Sequence, residues 1–219
     1  MVVAMAVPHT VLAQGPWDPS TVSTVWRDDR YEAPERHELA ADAAIKKLEE
    51  RGSPSHDGAS ARLAGYAIED GRLEVTLQPM RWALRLVPRD SSQALSALTV
   101  VRDADGRWLA GRRARWLATW AGRWSLGAGG AVEVGEDPVE TLSRELEEEW
   151  AMQPERLDVQ ALLLTQNNSV VLLGQAWLAA GGEITMDDEH DDYAWWPADV
   201  SDWPREGHIA LRRTAALIK

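Results

Sequence analysis

The chain has 219 residues, a formal net charge of −12 and 45% apolar residues. That length suits one large domain, or a catalytic domain with an extension, and the apolar share is enough for a true core, so disorder is excluded as the default. The charge argues against a nucleic-acid backbone as the main partner, and the absence of cysteine excludes both a disulfide framework and a thiol nucleophile, which fits the cytoplasm.

The opening stretch MVVAMAVPHTVLAQ carries Val11-Leu12-Ala13, which resembles a small-residue cleavage site. It has no basic start, and Pro8-His9 cut its apolar run to seven residues, so a first β-strand is expected rather than a signal peptide. No apolar run approaches the ~20 residues that cross a bilayer, so no membrane partner is expected. Pro34 to Arg51 has helical periodicity and stops at Gly52, followed by the turn chemistry of GSPSHDG. Ala61–Ala67 and Arg72–Leu77 alternate around Glu69-Asp70-Gly71 and read as a hairpin. Arg81, Arg85 and Arg89 follow at i+4 spacing, as on one basic helix face. Residues 1–93 together read as a small α+β extension.

From Ala94 the pattern changes. Ala94–Arg102 and Arg107–Arg113 flank a turn at Asp103–Gly106 and read as a second hairpin, ahead of a glycine loop at Gly129-Gly130 and a helix over 137–151. Strands are expected at Leu157–Thr165, Ser169–Ala179 and Ala194–Trp196, with a closing helix over 205–217. Partly antiparallel strands on both sides of a helix predict an α/β/α sandwich for residues 94–219. Twelve tryptophans against no phenylalanine imply that indoles fill core volume. Trp108, Trp116, Trp120 and Trp124 crowd the strands before the glycine loop, and any one of them could stack on a base.

The most informative segment is GAVEVGEDPVETLSRELEEEWAM, Gly130 to Met152. Glu145, Glu148 and Glu149 fall at i, i+3 and i+4 and share one helix face, where like charges repel. Hard oxygen ligands so placed suit Mg²⁺ or Mn²⁺, although a solvated acidic face is the commonest reading of any Glu run. Asp137-Pro138 supplies a cap and a first-turn proline, and Val139, Leu142, Leu146 and Trp150 form an apolar stripe. There is no P-loop, no dinucleotide-binding glycine fingerprint and no serine-hydrolase elbow, and His9, His37, His56 and His208 show no metal-ligand spacing.

This segment resembles the signature of the Nudix hydrolases, G-x5-E-x7-R-E-U-x-E-E-x-G-U with U an aliphatic residue. Gly130, Glu136, Arg144, Glu145, Leu146, Glu148, Glu149 and Met152 stand at the matching places; Ala151 departs from the family's last glycine. If residue 151 adopts the left-handed conformation, alanine there costs about 1 kcal/mol; if the helix runs one residue further before Pro154 stops it, the cost is small. The resemblance implies a Nudix-type α/β/α sandwich with a mixed sheet, and cleavage of a nucleoside diphosphate linked to another moiety. It further implies Mg²⁺ or Mn²⁺ held by Glu145, Glu148, Glu149 and the Gly129 carbonyl, and a Glu136–Arg144 pair bracing loop against helix. In the family the general base is a glutamate of this box, such as Glu148, or an acid on a later loop. Asp187–Asp192 is such a loop, and Glu189 is the residue chosen, with a solvated acidic turn as the alternative. Arg112 and Arg113 are candidates for the phosphates, and strand alternation lets only one of them line a cleft. The N-terminal helix and hairpin are loosely similar to the segment ahead of the Nudix domain in UDP-sugar-hydrolysing members, which raises UDP-glucose-like substrates. Homodimerisation is common in the family. The alternative function is a Nudix-fold nucleotide-binding regulator without turnover. Isomerase or mRNA-decapping chemistry is disfavoured by the missing cysteine and the acidic charge.

Overall fold

The structure is a computed structural model that describes residues 10–53, 57–117 and 119–218. The first nine residues of the expected opening strand, and the middle of the GSPSHDG turn, lie outside the described residues. The chain runs β1 (Thr10–Trp17), β2 (Val22–Trp26), α1 (Glu35–Glu50), β3 (Ala59–Glu69), β4 (Arg72–Arg81), β5 (Leu95–Arg102), β6 (Trp108–Arg113), β7 (Trp124–Leu126) and β8 (Ala128–Ala131). It continues with α2 (Pro138–Trp150), β9 (Arg156–Leu164), β10 (Val170–Trp177), β11 (His190–Trp196) and α3 (Ile209–Ala215).

Eight strands form one mixed sheet in the order β1-β9-β10-β5-β6-β11, with β8 paired to β5 and β7 to β6. β5 and β10 are parallel from Leu95↔Val170 to Arg102↔Trp177, while the other pairs are antiparallel. β2, β4 and β3 make a separate three-stranded sheet. The N-terminal region therefore places one strand, β1, in the large sheet. It also packs its small sheet against it: Leu63, Leu73, Val75 and Leu77 share one core with Leu95, Ala97, Leu142, Leu162 and Leu172.

The central strands are apolar on both faces, as a sheet covered on two sides requires. Leu95, Ala97 and Val101 of β5 face the small sheet and α2, whereas Leu98 and Val100 face α3 through Leu211 and Ala215. Three helices and two sheets thus give the sandwich, with α2 and α3 on opposite faces. Five of the twelve indoles take the predicted core role, Trp17, Trp108, Trp150, Trp196 and Trp203 being buried, whereas Trp116 and Trp120 are exposed. Trp203 packs against Trp108 at 5.5 Å and against Trp196 at 5.1 Å between ring centroids.

Several expectations need correction. The hairpin of β5 and β6 pairs only at Arg102↔Trp108; farther along, β5 takes β8 as its antiparallel neighbour and β6 takes β7 and β11. Gly129-Gly130 is strand rather than loop, part of β8. The basic helix face over residues 81–89 does not form. Arg81 ends β4 and is pinned by Glu38, Asp42 and Asp57, and only Trp82–Leu86 coils, as a single 3₁₀ turn, before Arg89 takes a φ of 68°. β11 begins at His190, so half of the expected acidic loop is strand, and the closing helix is confined to Ile209–Ala215.

Candidate active site

Helix α2 positions the acidic cluster. Asp137 caps it, accepting the Val139 N–H at 2.8 Å, and Pro138 sets the first turn. Leu142, Leu146 and Trp150 are fully buried, which fixes the rotation of the helix and turns Glu145 and Glu149 toward β8. The Leu142 carbonyl also accepts a bond from the buried Thr99 hydroxyl at 3.0 Å, tying α2 to β5. The helix ends with Ala151 at φ 48°, ψ 38°, where its N–H reaches the Glu147 carbonyl and the Met152 N–H reaches that of Leu146. The left-handed alternative therefore holds, and alanine occupies a position suited to glycine.

Gly130 serves close approach, not a turn: a Cβ there would stand 2.1 Å from Glu145 Oε1. Glu149 Oε1 accepts the Gly129 N–H at 3.1 Å, while its Oε2 is buried without a hydrogen-bond partner. The nearest base to that oxygen is His190 Nε2 at 3.7 Å, itself unpartnered. Burial pushes the Glu145 carboxyl up to about 6, against the attraction of Arg144, and holds Glu149 well above the ordinary carboxylate range.

Arg144 lies among the acids. Its Nε donates to Glu136 Oε1 at 2.8 Å, and its Nη1 lies 2.8 Å from both Glu145 Oε1 and Glu148 Oε2. Burial alone would raise Glu136, yet the bonds from Arg144 and from the Glu133 N–H outweigh it and hold the carboxyl below its ordinary range. The predicted Glu136–Arg144 contact is thus present. No three acidic or histidine side chains among the described residues are grouped so as to enclose an ion.

A cavity of about 760 Å³ opens beside α2, lined by Gly129, Gly130, Arg144, Glu145 and Glu148 on one side and by Arg113 and Glu189 on another. Arg113 Nη2 is 3.5 Å from Glu189 Oε2, and burial raises the Glu189 carboxyl above its ordinary value. Arg112 is not in the cavity; alternation along β6 turns it toward Asp192, 3.6 Å away on the opposite side. Trp116 lines the cavity and is 39% exposed, whereas Trp108 is buried, Trp124 packs on Trp196, and Trp120 lies against His208.

The rest of the wall carries no local sequence signal of its role. Ser60, Trp82 and Arg85 come from the N-terminal region, and their only sequence signal was an i+4 arginine spacing that suggested a helix instead.

A model of the NUDIX domain matches residues 92–216, more than half of the chain. No curated protein matches it. Among solved structures, it is similar to the MutT protein from Methanosarcina mazei Go1, at 21% identity over 57% of this chain and 91% of that one, with a TM-score of 0.45. It is also similar to the NUDIX domain of Shewanella oneidensis NrtR complexed with ADP ribose, at 22% identity over 62% and 96% of the two chains, TM-score 0.45. A C. elegans Ap4A hydrolase matches at 19% identity over 56% and 96%, TM-score 0.41. No helix among the described residues is long and apolar enough to cross a membrane.

Proposed function

The chain belongs to the NUDIX family, and on that premise we propose that it is a Mg²⁺- or Mn²⁺-dependent hydrolase of nucleoside diphosphates linked to a second moiety, an NDP-sugar or an ADP-ribose-like compound. The observation that carries this reading is the single cavity on which Glu145, Glu148 and Glu189 converge with Arg113.

The donor set fits a hard divalent cation. Burial holds the Glu145 and Glu149 carboxyls above their ordinary range, and Glu149 Oε2 has no hydrogen bond among the described residues. Glu145, Glu148 and Glu149 would hold the ion, with the Gly129 carbonyl as a fourth oxygen. When bound, it supplies charge neutralisation for the diphosphate and lowers the pKa of a bound water.

The remaining chemistry belongs to the protein's side chains. Arg113, already turned into the cavity, presents a planar fork to a phosphate oxygen. Glu189 is the base that takes the proton from the attacking water; its raised carboxyl brings it closer to the pKa suited to that task. Glu136 orients Arg144, whose charge offsets the acidic cluster before substrate arrives.

The test is incubation with UDP-glucose, ADP-ribose and dinucleoside polyphosphates, with Mg²⁺ and separately with EDTA. A nucleoside monophosphate and a phosphorylated co-product are expected from at least one compound, and none in EDTA. Nucleotide binding without turnover of any compound would instead identify a regulator that kept the fold and lost catalysis.

A further inference from the structure

Three arginines line the cavity, and they differ in what holds them. Arg144 is pinned by three glutamates, and Arg113 faces Glu189 at 3.5 Å. Arg85 has no carboxylate within ion-pair distance among the described residues. Its one side-chain hydrogen bond there runs from Nη2 to the Ser96 hydroxyl at 2.6 Å, and its guanidinium lies 5.7 Å from the centre of the Trp82 ring. A guanidinium carries five N–H donors in a fixed fork, so most of its donor capacity is unspent.

The same wall holds a second unspent group. Ser60 is 1% exposed, and its hydroxyl is buried without a partner. A cation with spare donors and an orphaned hydroxyl in one cavity are what an oxyanion would satisfy, since burying either unpaired is unfavourable. Burial has already lowered Arg85 to about 10, which leaves it charged at neutral pH.

The turn that carries Arg85 is rigidly mounted. Ala83 and Leu84 are fully buried in a core with Ala41 of α1 and Met80 of β4, and the Trp82 N–H bonds the Gly58 carbonyl at 2.9 Å. Arg81, immediately before it, is fixed by ion pairs to Glu38, Asp42 and Asp57. The side chain is therefore presented to the cavity in advance, which lowers the ordering cost of binding.

We propose that the N-terminal region completes the site: Arg85, with the hydroxyls of Ser96 and Ser60, binds a phosphate group of the substrate at a subsite beside the α2 carboxylates, in the same cavity as Glu145. The substrates selected are those whose phosphates reach from the carboxylate cluster to Arg85. As a substrate subsite, this rests on the hydrolase reading; as an anion site, it does not.

The experiment separates the two. Inorganic pyrophosphate is titrated by calorimetry into the full chain in EDTA, using wild type, Arg85→Gln and Arg85→Lys, alongside KM and kcat for any nucleotide the wild type hydrolyses. Wild type should bind. Arg85→Gln should weaken binding by at least about tenfold, the usual consequence of losing a charge-assisted hydrogen bond. Arg85→Lys, which keeps the charge but not the fork, should fall between. In turnover, Arg85→Gln should raise KM by a similar factor with kcat little changed. Pyrophosphate binding that is absent in wild type or unaffected in Arg85→Gln overturns the proposal, as does a fall in kcat at constant KM. If Arg85→Gln does not fold, Arg85→Lys decides: affinity equal to wild type overturns it and reduced affinity supports it. A wild type that hydrolyses nothing but binds pyrophosphate through Arg85 sinks the hydrolase and leaves the anion site standing.

Discussion

Gly130 lies so close against Glu145 that a single added carbon would stand 2.1 Å from the carboxylate. Gly130→Ala must push aside either that carboxylate or strand β8, which is hydrogen-bonded to β5 along Ser96–Thr99. Overpacking of this kind costs about 1–3 kcal/mol. Urea denaturation should show a loss in that range together with weaker divalent-ion binding. Wild-type stability with wild-type ion affinity contradicts the geometry.

At the other end of α2 the strain already exists. Ala151 holds a left-handed conformation, with its N–H bonded to the Glu147 carbonyl at 2.9 Å. Ala151→Gly relieves the Cβ clash of about 1 kcal/mol but gains freedom in the unfolded chain, and the net is a stabilisation of about 0.5 kcal/mol. Equilibrium unfolding that shows no gain, or a loss, argues against strain at this residue.

Ion binding at Glu145 should be pH-dependent. Its folded carboxyl titrates near 6 against an ordinary 4.5, so between those values the ion-free folded protein holds a proton that the unfolded chain releases. In that window the metal-free protein loses stability as pH rises, and a divalent ion must displace the proton. Mg²⁺ affinity should therefore fall as pH drops below about 6, with protons released on binding at pH 5.5–6. Calorimetry in two buffers of different ionisation enthalpy measures this; identical observed heats in the two buffers, meaning no proton release, would remove Glu145 from the ion site.

Glu136 should act on the ion site through Arg144. Its carboxylate takes the Nε donor at 2.8 Å and keeps the guanidinium from being shared among Glu145 and Glu148 alone. In Glu136→Gln, Arg144 should compete more strongly for those carboxylates. Losses of outer partners at metal sites typically weaken ion affinity by about 10–100-fold. Unchanged Mg²⁺ affinity would assign Glu136 to stability alone.

Much of this site was legible in the chain because its signals are local. The cap at Asp137-Pro138, the stripe Leu142-Leu146-Trp150 and the i, i+3, i+4 spacing of the glutamates all lie within one helix, so helical periodicity alone places them. The facing wall was not legible. Arg85 and Ser60 reach the cavity through packing of the small sheet on the large one, a long-range event with no local pattern. The spacing of Arg81, Arg85 and Arg89 pointed the wrong way because buried Ala83 and Leu84 hold the segment as one tight turn. The pairing of β5 and β6 differs from the expected hairpin for a related reason. A turn at Asp103–Gly106 predicts adjacency, but β8 is the neighbour along Ser96–Thr99, and no local signal reports that.

The account stands most directly on Glu148, the exposed carboxylate that shares Arg144 with Glu145 at the cavity wall. The deciding measurement is nucleoside monophosphate release from UDP-glucose or ADP-ribose in Mg²⁺, comparing wild type with Glu148→Gln at equal folded concentration. Turnover by wild type and a fall of at least about a hundredfold in the variant are predicted, the scale expected when a group acting at the reacting centre is lost. A Glu148→Gln rate near that of wild type would contradict the assignment of this carboxylate cluster as the centre of catalysis.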